Sequence, residues 1–175
     1  MTHDTLELIV RTHQAMVYRY LRYMGAAADV AEDVAQETFL AVFRSLKGLR
    51  DPRSFPTWLY RIALNQCRAK WRQRAPELSL DEAVSGKGGD EQLEPQIADE
   101  TIDVAAKIEL KDLVCKALMN TSEEHRAAII LKEYIGLNLE EVAEVMGCPL
   151  STAKSRLYHG LRGVQKNLRR LGACR

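Results

Sequence analysis

The chain has 175 residues, of which 46% are hydrophobic and 28% charged, and its formal net charge is +1. This composition is typical of a folded globular protein with one ordinary domain or two small ones. No stretch approaches the ~20 apolar residues that span a bilayer, and the first ten residues, with Asp4 and Glu7, lack a signal-peptide pattern. We therefore expect no membrane insertion and a cytoplasmic location.

The charges are segregated along the chain. Residues 44–74 contain nine Lys and Arg against Asp51 alone, and residues 150–175 contain seven Lys and Arg and no acid. Between these blocks, residues 77–103 contain nine Asp and Glu against Lys87. Two basic blocks on either side of an acidic one favour a protein that binds nucleic acid.

Residues that could carry catalysis or hold a metal are scattered. The sequence has no CxxC pair, no histidine near a cysteine at metal-ligand spacing, no Walker-type glycine loop and no G-x-S-x-G elbow. Reduced thiols packed as small apolar groups are the simplest interpretation of the four cysteines, Cys67, Cys115, Cys148 and Cys174. We predict no catalytic residue, no metal and no cofactor.

The first two predicted helices come before the basic block. Apolar residues at helical spacing indicate a helix over residues 4–24, which Gly25 ends. A second helix is predicted to open at Asp29, which precedes Glu32 by three residues as in a capping box. Its broad buried face is predicted to include Phe43.

A loop over residues 47–56 separates the second helix from a third. Asp51 precedes a proline, which disfavours helical geometry, whereas Pro56 suits the first turn of the next helix. Trp58 lies in the apolar stripe of that helix and is assigned to the core, while Trp71 is compatible with packing or with DNA contact. The other side of the helix carries its cations, Arg61, Arg68, Lys70, Arg72 and Arg74.

The acidic segment has the composition of a linker. Residues 75–102 contain three glycines, two prolines and most of the acid in this part of the chain, with few large apolar residues. Such a segment is flexible and is extended by self-repulsion. The predicted fold class is therefore all-α, with two small helical domains, 1–75 and 104–175, joined by a flexible acidic linker, 76–103.

The sequence of the second domain predicts four helices. The first covers about residues 104–119. The second opens with Thr121 and Glu124 at capping-box spacing and stops at Gly136. The third repeats the capping-box spacing from Asn138.

The last helix follows a turn at Gly147 and starts at Pro149. Its apolar residues form one predicted stripe, Ala153, Leu157, Leu161, Val164 and Leu168. A helix, a short turn with glycine and a basic helix have the spacing of a helix-turn-helix. Residues outside the stripe are of the types that contact bases and phosphates: Ser151, Thr152, Lys154, Ser155, Arg156, Tyr158 and His159. An amphipathic helix with solvent-facing cations explains the same pattern, so the periodicity alone leaves both interpretations open.

Three segments together resemble a known family. The second helix contains DVAEDVAQETFLAVF, the third FPTWLYRIALN, and the second domain EEHRAAIILKEYIGLNLEEVAEVMGCPLSTAKSRL. In order and spacing they resemble D-x-A-E-D-x-x-Q-E-x-F, F-x-x-W-L-x-x-I-A-x-N and E-E-x-R…G-L-x-x-x-E-I-A…P-x-x-T-x-K-S-R-L of the extracytoplasmic-function sigma factors of bacterial RNA polymerase. The resemblance covers about residues 5–168. It implies a factor that binds core polymerase, directs it to specific promoters and promotes DNA strand opening.

The resemblance implies a role for each region. The linker would run through the polymerase cleft and RNA exit path. The second domain would contact the β flap and read the −35 element with the residues of the last helix named above. An anti-sigma factor would be the inhibitory partner. The clamp helices of the β′ subunit would bind Asp29, Glu32, Asp33, Gln36 and Glu37. Recognition and melting of the −10 element would fall to Gly48, Leu49, Arg50, Arg53, Ser54, Arg61, Asn65, Arg68, Lys70 and Arg72.

The sequence also departs from the family pattern. An aromatic residue is frequent where Leu49 stands, an acid where Ala69 stands, Leu-Pro where Thr121 and Ser122 stand, and a basic residue where His159 stands. These departures concern the promoter sequence rather than the class of protein.

Two other functions fit parts of the chain. A stand-alone helix-turn-helix regulator would bind duplex DNA tightly by itself, but it leaves the acidic residues of the second helix and the acidic linker without a role. A helical adaptor that binds only proteins is disfavoured by the two basic blocks.

Overall fold

The computed structural model describes residues 3–49, 51–74 and 104–172, so the predicted linker lies outside the described residues. Within these ranges all regular structure is helical, and the predicted all-α class is confirmed. None of the described helices is long and apolar enough to cross a membrane. The described residues form seven α-helices: α1 His3–Tyr23, α2 Ala28–Ser45, α3 Phe55–Arg74, α4 Val104–Met119, α5 Glu123–Ile129, α6 Leu139–Met146 and α7 Leu150–Arg170.

The turn between α1 and α2 confirms one sequence prediction and corrects another. Gly25 follows α1 with φ of +99°, a conformation that favours glycine. The predicted opening of α2 at Asp29 is wrong, because α2 begins at Ala28 and the extended residue before it, Ala27, makes no side-chain cap. Asp29 lies within the first turn, where its negative charge is favourable to the helix dipole.

The buried face of α2 is narrower than predicted. Val30, Val34 and Val42 are buried, but Phe43, which was assigned to this face, is 54% exposed. Val42 lies in the core, and successive helical residues are about 100° apart around the axis. The side chain of the next residue, Phe43, therefore points outward. Leu40 is likewise 54% exposed.

The loop before α3 is held by local hydrogen bonds. It contains two single 3-10 turns, Leu46–Gly48 and Pro52–Ser54. The backbone N–H of Arg53 donates to Oδ1 of Asp51 at 2.9 Å, and the Ser54 hydroxyl donates to the Asp51 carbonyl at 2.8 Å. These bonds give residues 51–54 a defined shape at the start of α3.

The tryptophans of α3 both pack against the core. Trp58 is partly buried, as predicted, and its ring lies 6.0 Å from that of Phe55. Trp71 is also partly buried against the core cluster, which favours the packing interpretation for this residue.

The start of α5 differs by one residue from the prediction. Thr121 is not the cap, because its hydroxyl donates back to the Leu118 carbonyl at 2.6 Å. Ser122 is the N-cap, and its hydroxyl accepts a hydrogen bond from the backbone N–H of His125 at 3.4 Å.

A π-helical stretch follows α5, and the predicted capping box opens α6. The helix continues beyond α5 as a single π-helical stretch, Ile130–Tyr134, before the turn at Gly136. The capping box of α6 is confirmed: the Asn138 side chain accepts from the Glu141 backbone N–H at 2.8 Å, and the Glu141 carboxylate accepts from the Asn138 N–H at 2.7 Å.

The buried stripe of α7 is also corrected. Ala153 is fully buried, but Leu161 is 43% exposed and Gly160 takes the buried position instead. A Cβ at Gly160 would lie 3.0 Å from Cδ1 of Ile129 and 3.1 Å from the carbonyl oxygen of His125. The missing side chain therefore allows α5 and α7 to pack closely.

The N-terminal and C-terminal halves share one hydrophobic core, a contact that the sequence did not predict. Helix α3 packs against α6, and α1 contacts α4. The ring of Tyr23 on α1 meets that of Tyr134 edge-on at 4.9 Å between centroids. The buried side chains from Val17 to Ala153 form a single cluster that includes residues of both halves.

Candidate nucleic-acid interface

Helices α6 and α7 form the predicted helix-turn-helix. Gly147 ends α6 in the left-handed conformation, with φ of +62°. The backbone N–H of Cys148 donates to the Ala143 carbonyl at 3.0 Å, and α7 begins directly after Pro149. The buried methyl group of Ala153 then packs the first turn of α7 against the core, which leaves the opposite side of that turn accessible.

The first turns of α7 present most of the predicted base-reading residues to solvent. Thr152 is half-buried, and an exposed ring, Tyr158, has the Arg162 guanidinium carbon 5.7 Å from its centroid, a cation–π arrangement. The exposed members of the predicted set are Ser151, Lys154, Ser155, Tyr158 and His159.

Arg156 differs from its neighbours, because its side chain is directed toward α5. Its Nη2 donates to Oε1 of Glu124 at 2.6 Å, and the Arg156 side chain is only 20% exposed. A guanidinium has five N–H donors, so this ion pair leaves others for a further partner while it fixes the position of the side chain.

The second group of predicted DNA contacts lies on the loop before α3 and on α3 itself. Gly48, Arg53, Asn65 and Arg72 are exposed, while Leu49 and Ser54 are half-buried. Arg50 lies outside the described residues. The structure thus places exposed polar side chains at both ends of this surface.

Two cations of this group are paired with acids from the other half of the chain. Nε of Arg68 donates to Oε1 of Glu123 on α5 at 2.7 Å, with both side chains about one-third exposed or less. Nη1 of Arg61 lies 3.4 Å from Oε1 of Glu144 on α6, and this pair is more exposed. Both pairs join α3 to helices of the other half.

The acidic residues predicted to bind the polymerase share one exposed face of α2. Two apolar neighbours on this face, Leu40 and Phe43, were not among the predicted residues; they follow Gln36 by four and seven residues. These spacings return to the same side of a helix, so periodicity could have identified them. All five predicted residues are exposed: Asp29, Glu32, Asp33, Gln36 and Glu37.

A second basic surface lies on the C-terminal half of α7. It was visible in the sequence only as part of the terminal positive block. This surface is formed by Arg162, Gly163, Gln165, Lys166, Arg169 and Arg170.

The described residues offer no site for a metal. Among them no three His, Cys, Asp or Glu side chains lie close enough together to hold an ion. Burial raises the pKa of the Cys67 thiol to about 12, so this cysteine is a neutral packing residue at physiological pH.

Family models match both halves of the chain. The Sigma-70 region 2 model matches residues 9–77, which contain most of α1 and all of α2 and α3. The Sigma-70, region 4 model matches residues 118–162, which contain α5, α6 and the first part of α7.

Curated relatives match over nearly the whole length. The chain is 30% identical to the ECF RNA polymerase sigma factor SigW of Bacillus subtilis over 170 residues, 96% of this chain and 91% of that protein. It is 31% identical to the RNA polymerase sigma-H factor of Pseudomonas aeruginosa and to the ECF RNA polymerase sigma-E factor of Escherichia coli K12. Each of these two matches spans 169 residues, 94% of this chain and 86% of the relative.

Solved structures share the fold of this chain. The sigma factor RpoE of Bartonella quintana, in complex with the anti-sigma factor NepR, superposes with a TM-score of 0.76 at 22% identity, covering 95% of this chain and 98% of RpoE. CnrH, in complex with the cytosolic domain of CnrY, superposes with a TM-score of 0.67 at 22% identity, covering 95% of this chain and 89% of CnrH. With both regions present in order and relatives matched almost end to end, this chain belongs to the extracytoplasmic-function sigma factors of RNA polymerase.

Proposed function

We propose that this protein binds core RNA polymerase, directs it to specific promoters and promotes opening of the DNA strands. The observation that carries this proposal is that one chain presents two exposed surfaces of opposite charge, the acidic face of α2 and the basic first turns of α7. A protein that joins a basic, DNA-binding helix to a separate protein-docking face is suited to recruit an enzyme to DNA.

The polymerase-binding surface would be the acidic face of α2, which would dock on the clamp helices of the β′ subunit. The exposure of Glu32, Asp33 and Gln36 supports this role, and the exposed rings and methyl groups of Phe43 and Leu40 add apolar area to the same face. The second domain, 104–175, would contact the β flap, and the linker, 76–103, would run through the polymerase cleft from the first domain, 1–75.

The −35 element would be read by the first turns of α7. Ser151, Lys154 and Ser155 lie at the exposed start of a helix that follows a tight turn, the position from which a recognition helix meets base edges. Tyr158 and His159 would extend the contact by one turn. Thr152 and Arg156, at the margin of the buried face of α7, would contact the DNA backbone.

The −10 element would be bound and opened by the loop and α3. Removing a base from the stack costs a few kcal/mol, which a pocket must offset by stacking and hydrogen bonds. Leu49, Ser54 and Asn65 would line this pocket with Gly48, and the amide of Asn65 is exposed for a hydrogen bond. Phosphate contacts would come from Arg50, Arg53, Arg61, Arg68, Lys70 and Arg72.

The protein would act without catalysing a reaction of its own, since the polymerase performs the chemistry. It would work in the cytoplasm, where promoter DNA is located. An anti-sigma factor is the expected inhibitory partner, and the two structural neighbours described above support this, because RpoE was solved with an anti-sigma factor and CnrH with CnrY.

The test is co-elution of the protein with core polymerase on a sizing column, followed by run-off transcription on fragmented source DNA. Co-elution with new, discrete start sites is the expected result, and it would also give the promoter sequence. Tight duplex binding by the protein alone, without co-elution, would instead identify a stand-alone helix-turn-helix regulator.

A further inference from the structure

The close crossing of α5 and α7 brings two histidines together. Gly160 of α7 is buried, and a Cβ there would lie 3.1 Å from Cβ of His125 on α5. The next residue toward the start of α7 is His159. The ring centroids of His125 and His159 lie 6.4 Å apart, and the two ring planes are inclined by 34°. Two separate helices thus place a pair of imidazoles side by side.

This histidine pair borders the surface proposed to meet the −35 element. His159 is exposed and His125 is partly buried. The His159 ring meets that of Tyr158 edge-on at 5.4 Å between centroids, and the guanidinium carbon of Arg162 lies 5.7 Å from the Tyr158 centroid. His125 therefore extends the exposed surface of α7 with a side chain from another helix.

The charges of α5 and α7 themselves favour an anion at the histidine pair. Glu124 of α5 already accepts a hydrogen bond from Arg156 of α7 at 2.6 Å, and Glu123 accepts one from an arginine of α3. Helix α7 contains no acid. Arg156 and Arg162 each stand three residues from His159 in sequence, a spacing that makes them its neighbours on the helix surface. Protonated rings would therefore add to an already positive surface.

The other helices that pack against α5 and α7 are α4 and α6, and their acids are engaged elsewhere or exposed. Glu144 of α6 is paired with an arginine of α3, and Glu141 accepts from a backbone N–H in the capping box. Glu140 of α6 and Glu109 and Asp112 of α4 are exposed. Among the described residues, neither imidazole forms an ion pair with an acid. A bound partner would therefore have to supply the negative charge that two protonated rings require.

A phosphate group is an anion that such a pair can bind. Imidazole is the side chain whose charge changes between about pH 5 and pH 8, and both ring nitrogens donate when it is protonated. Because a hydrogen bond from a ring N–H to an oxygen spans about 2.7–3.2 Å, one phosphate can lie within reach of both rings. A nearby anion favours the charged form of an imidazole, so phosphate binding and protonation promote each other.

We propose that His125 and His159 together bind a phosphate of the DNA backbone at the edge of the −35 site, so that DNA binding takes up protons. This inference rests on the proposed function, because it assumes that the exposed start of α7 faces DNA. It adds His125 of α5 to the DNA contacts and makes them sensitive to pH. Since the bound state holds more protons, affinity for DNA rises as the pH falls and declines as the rings lose their protons.

The experiment measures the affinity of the full-length protein for a DNA duplex between pH 8 and pH 5.5 at constant salt. The probe is a fluorescein-labelled duplex of arbitrary sequence, because a phosphate contact does not require the promoter. The variants are His125→Gln and His159→Gln, which remove one titrating ring each. His13→Gln is the matched control, since it removes a histidine of α1 whose ring lies against Phe55. Circular dichroism checks that all proteins retain their helices.

The expected result is a gain in affinity at low pH that depends on both rings of the pair. Each proton taken up changes log K by up to about 1 per pH unit, so the unsubstituted protein and His13→Gln should bind roughly 10-fold more tightly at pH 6 than at pH 8. His125→Gln and His159→Gln should each retain about half of this gain on the logarithmic scale, roughly 3-fold.

Nuclear magnetic resonance provides a second readout that does not depend on a variant. The Cε1–H resonances of the imidazoles are followed over the same pH range with and without the duplex. The titration midpoints of His125 and His159 should both move to higher pH when the duplex is present, whereas that of His13 should stay unchanged. A role of His125 in packing alone would not move its midpoint.

The same pH dependence in His125→Gln as in His13→Gln would overturn the inference, as would a His125 midpoint that the duplex leaves unchanged. Run-off transcription by the unsubstituted protein with core polymerase separates this failure from failure of the proposed function. If transcription succeeds while His125→Gln keeps the full pH dependence, only the phosphate site is wrong. If transcription fails while the pH dependence still requires both histidines, the phosphate site stands and the proposed function does not.

Discussion

Nζ of Lys70 lies 3.7 Å from Oδ2 of Asp33, which joins the helix proposed to bind DNA to the face proposed to bind the polymerase. The Asp33 side chain is 62% exposed and that of Lys70 only 24%. An exposed ion pair contributes about 0–1 kcal/mol to stability. A basic group of a docking partner can therefore replace Lys70 as the ion-pair partner of Asp33 with little loss of stability. Lys70 is then available to bind a phosphate.

The acidic face of α2 gives the first prediction. We expect Glu32→Lys with Asp33→Lys to abolish assembly with core polymerase, because two carboxylates are replaced by cations on an exposed docking face. The measurement is co-elution on a sizing column. Glu133→Lys with Glu140→Lys, which changes the net charge by the same amount on the other half, should assemble normally; equal loss in both variants would show that total charge rather than this face matters.

The start of α7 gives the second prediction. Lys154 is exposed and makes no observed ion pair, so Lys154→Ala should leave the fold intact and weaken promoter-directed transcription about 10-fold, within the ~1–3 kcal/mol of a specific base contact. Arg156→Ala should also weaken it, and it additionally breaks the pair with Glu124. Run-off transcription gives the magnitude, and co-elution should show unchanged polymerase binding in both variants.

Lys166→Ala is the matched control for this prediction. Lys166 is exposed on the same helix, three turns beyond Lys154, and belongs to the second basic surface. Transcription reduced as strongly by Lys166→Ala as by Lys154→Ala would mean that the helix acts only through its overall charge.

The features that the sequence predicted well depend on neighbouring residues. The capping box of Asn138 and Glu141 and the turn at Gly147 involve residues at most a few positions apart, so spacing alone identifies them. Phe43 was placed wrongly because a broad apolar pattern does not say which of two adjacent residues faces the core. The choice between it and Val42 is made by packing against other helices.

The pairing of α3 with the second half lay beyond sequence reasoning for a different reason. Arg68 and Arg61 were recognised as cations, but their partners are 55 and 83 residues away in the chain. Local patterns identify the charge of a surface, whereas the partner of each charge depends on the tertiary arrangement.

The crossing of α5 and α7 gives the third prediction. Alanine is favoured over glycine in a helix by up to about 1 kcal/mol, but overpacking costs about 1–3 kcal/mol. A Cβ at residue 160 would press on the backbone oxygen of His125 at 3.1 Å, which cannot move as a flexible side chain does. We therefore expect Gly160→Ala to lower the free energy of unfolding by about 1 kcal/mol in urea titrations.

Gly163→Ala provides the comparison on the same helix. The nearest atom to a Cβ at residue 163 is Cγ2 of Thr121 at 3.6 Å, an ordinary contact. This variant should gain stability by about 0.5–1 kcal/mol from helix propensity alone. Stabilisation of similar size by both substitutions would show that the helices separate easily at Gly160.

The buried hydroxyl of Tyr20 gives the last prediction. The ring is fully buried, 5.2 Å from that of Tyr60, and its hydroxyl has no hydrogen-bond partner. Burial raises the pKa of Tyr20 well above its usual value near 10. The folded protein therefore retains the phenol proton at a pH where the unfolded chain has lost it, so this contribution to stability is complete below about pH 10 and declines above it.

Tyr20→Phe should act on stability in two ways. At pH 7 it removes an unsatisfied buried hydroxyl, and we expect the free energy of unfolding to rise by about 1 kcal/mol. Above pH 10 the free energy of unfolding of the variant should fall less steeply with pH than that of the unsubstituted protein. The difference in slope is up to about 1.4 kcal/mol per pH unit, because the unfolded variant has one ionising group fewer. Urea unfolding from pH 7 to 11 measures both effects, with Tyr158→Phe, which alters an exposed ring, as the control. A Tyr20→Phe protein less stable than the unsubstituted one at pH 7 would mean that the hydroxyl is hydrogen-bonded in solution, and the interface between the halves would then be better satisfied than its geometry indicates.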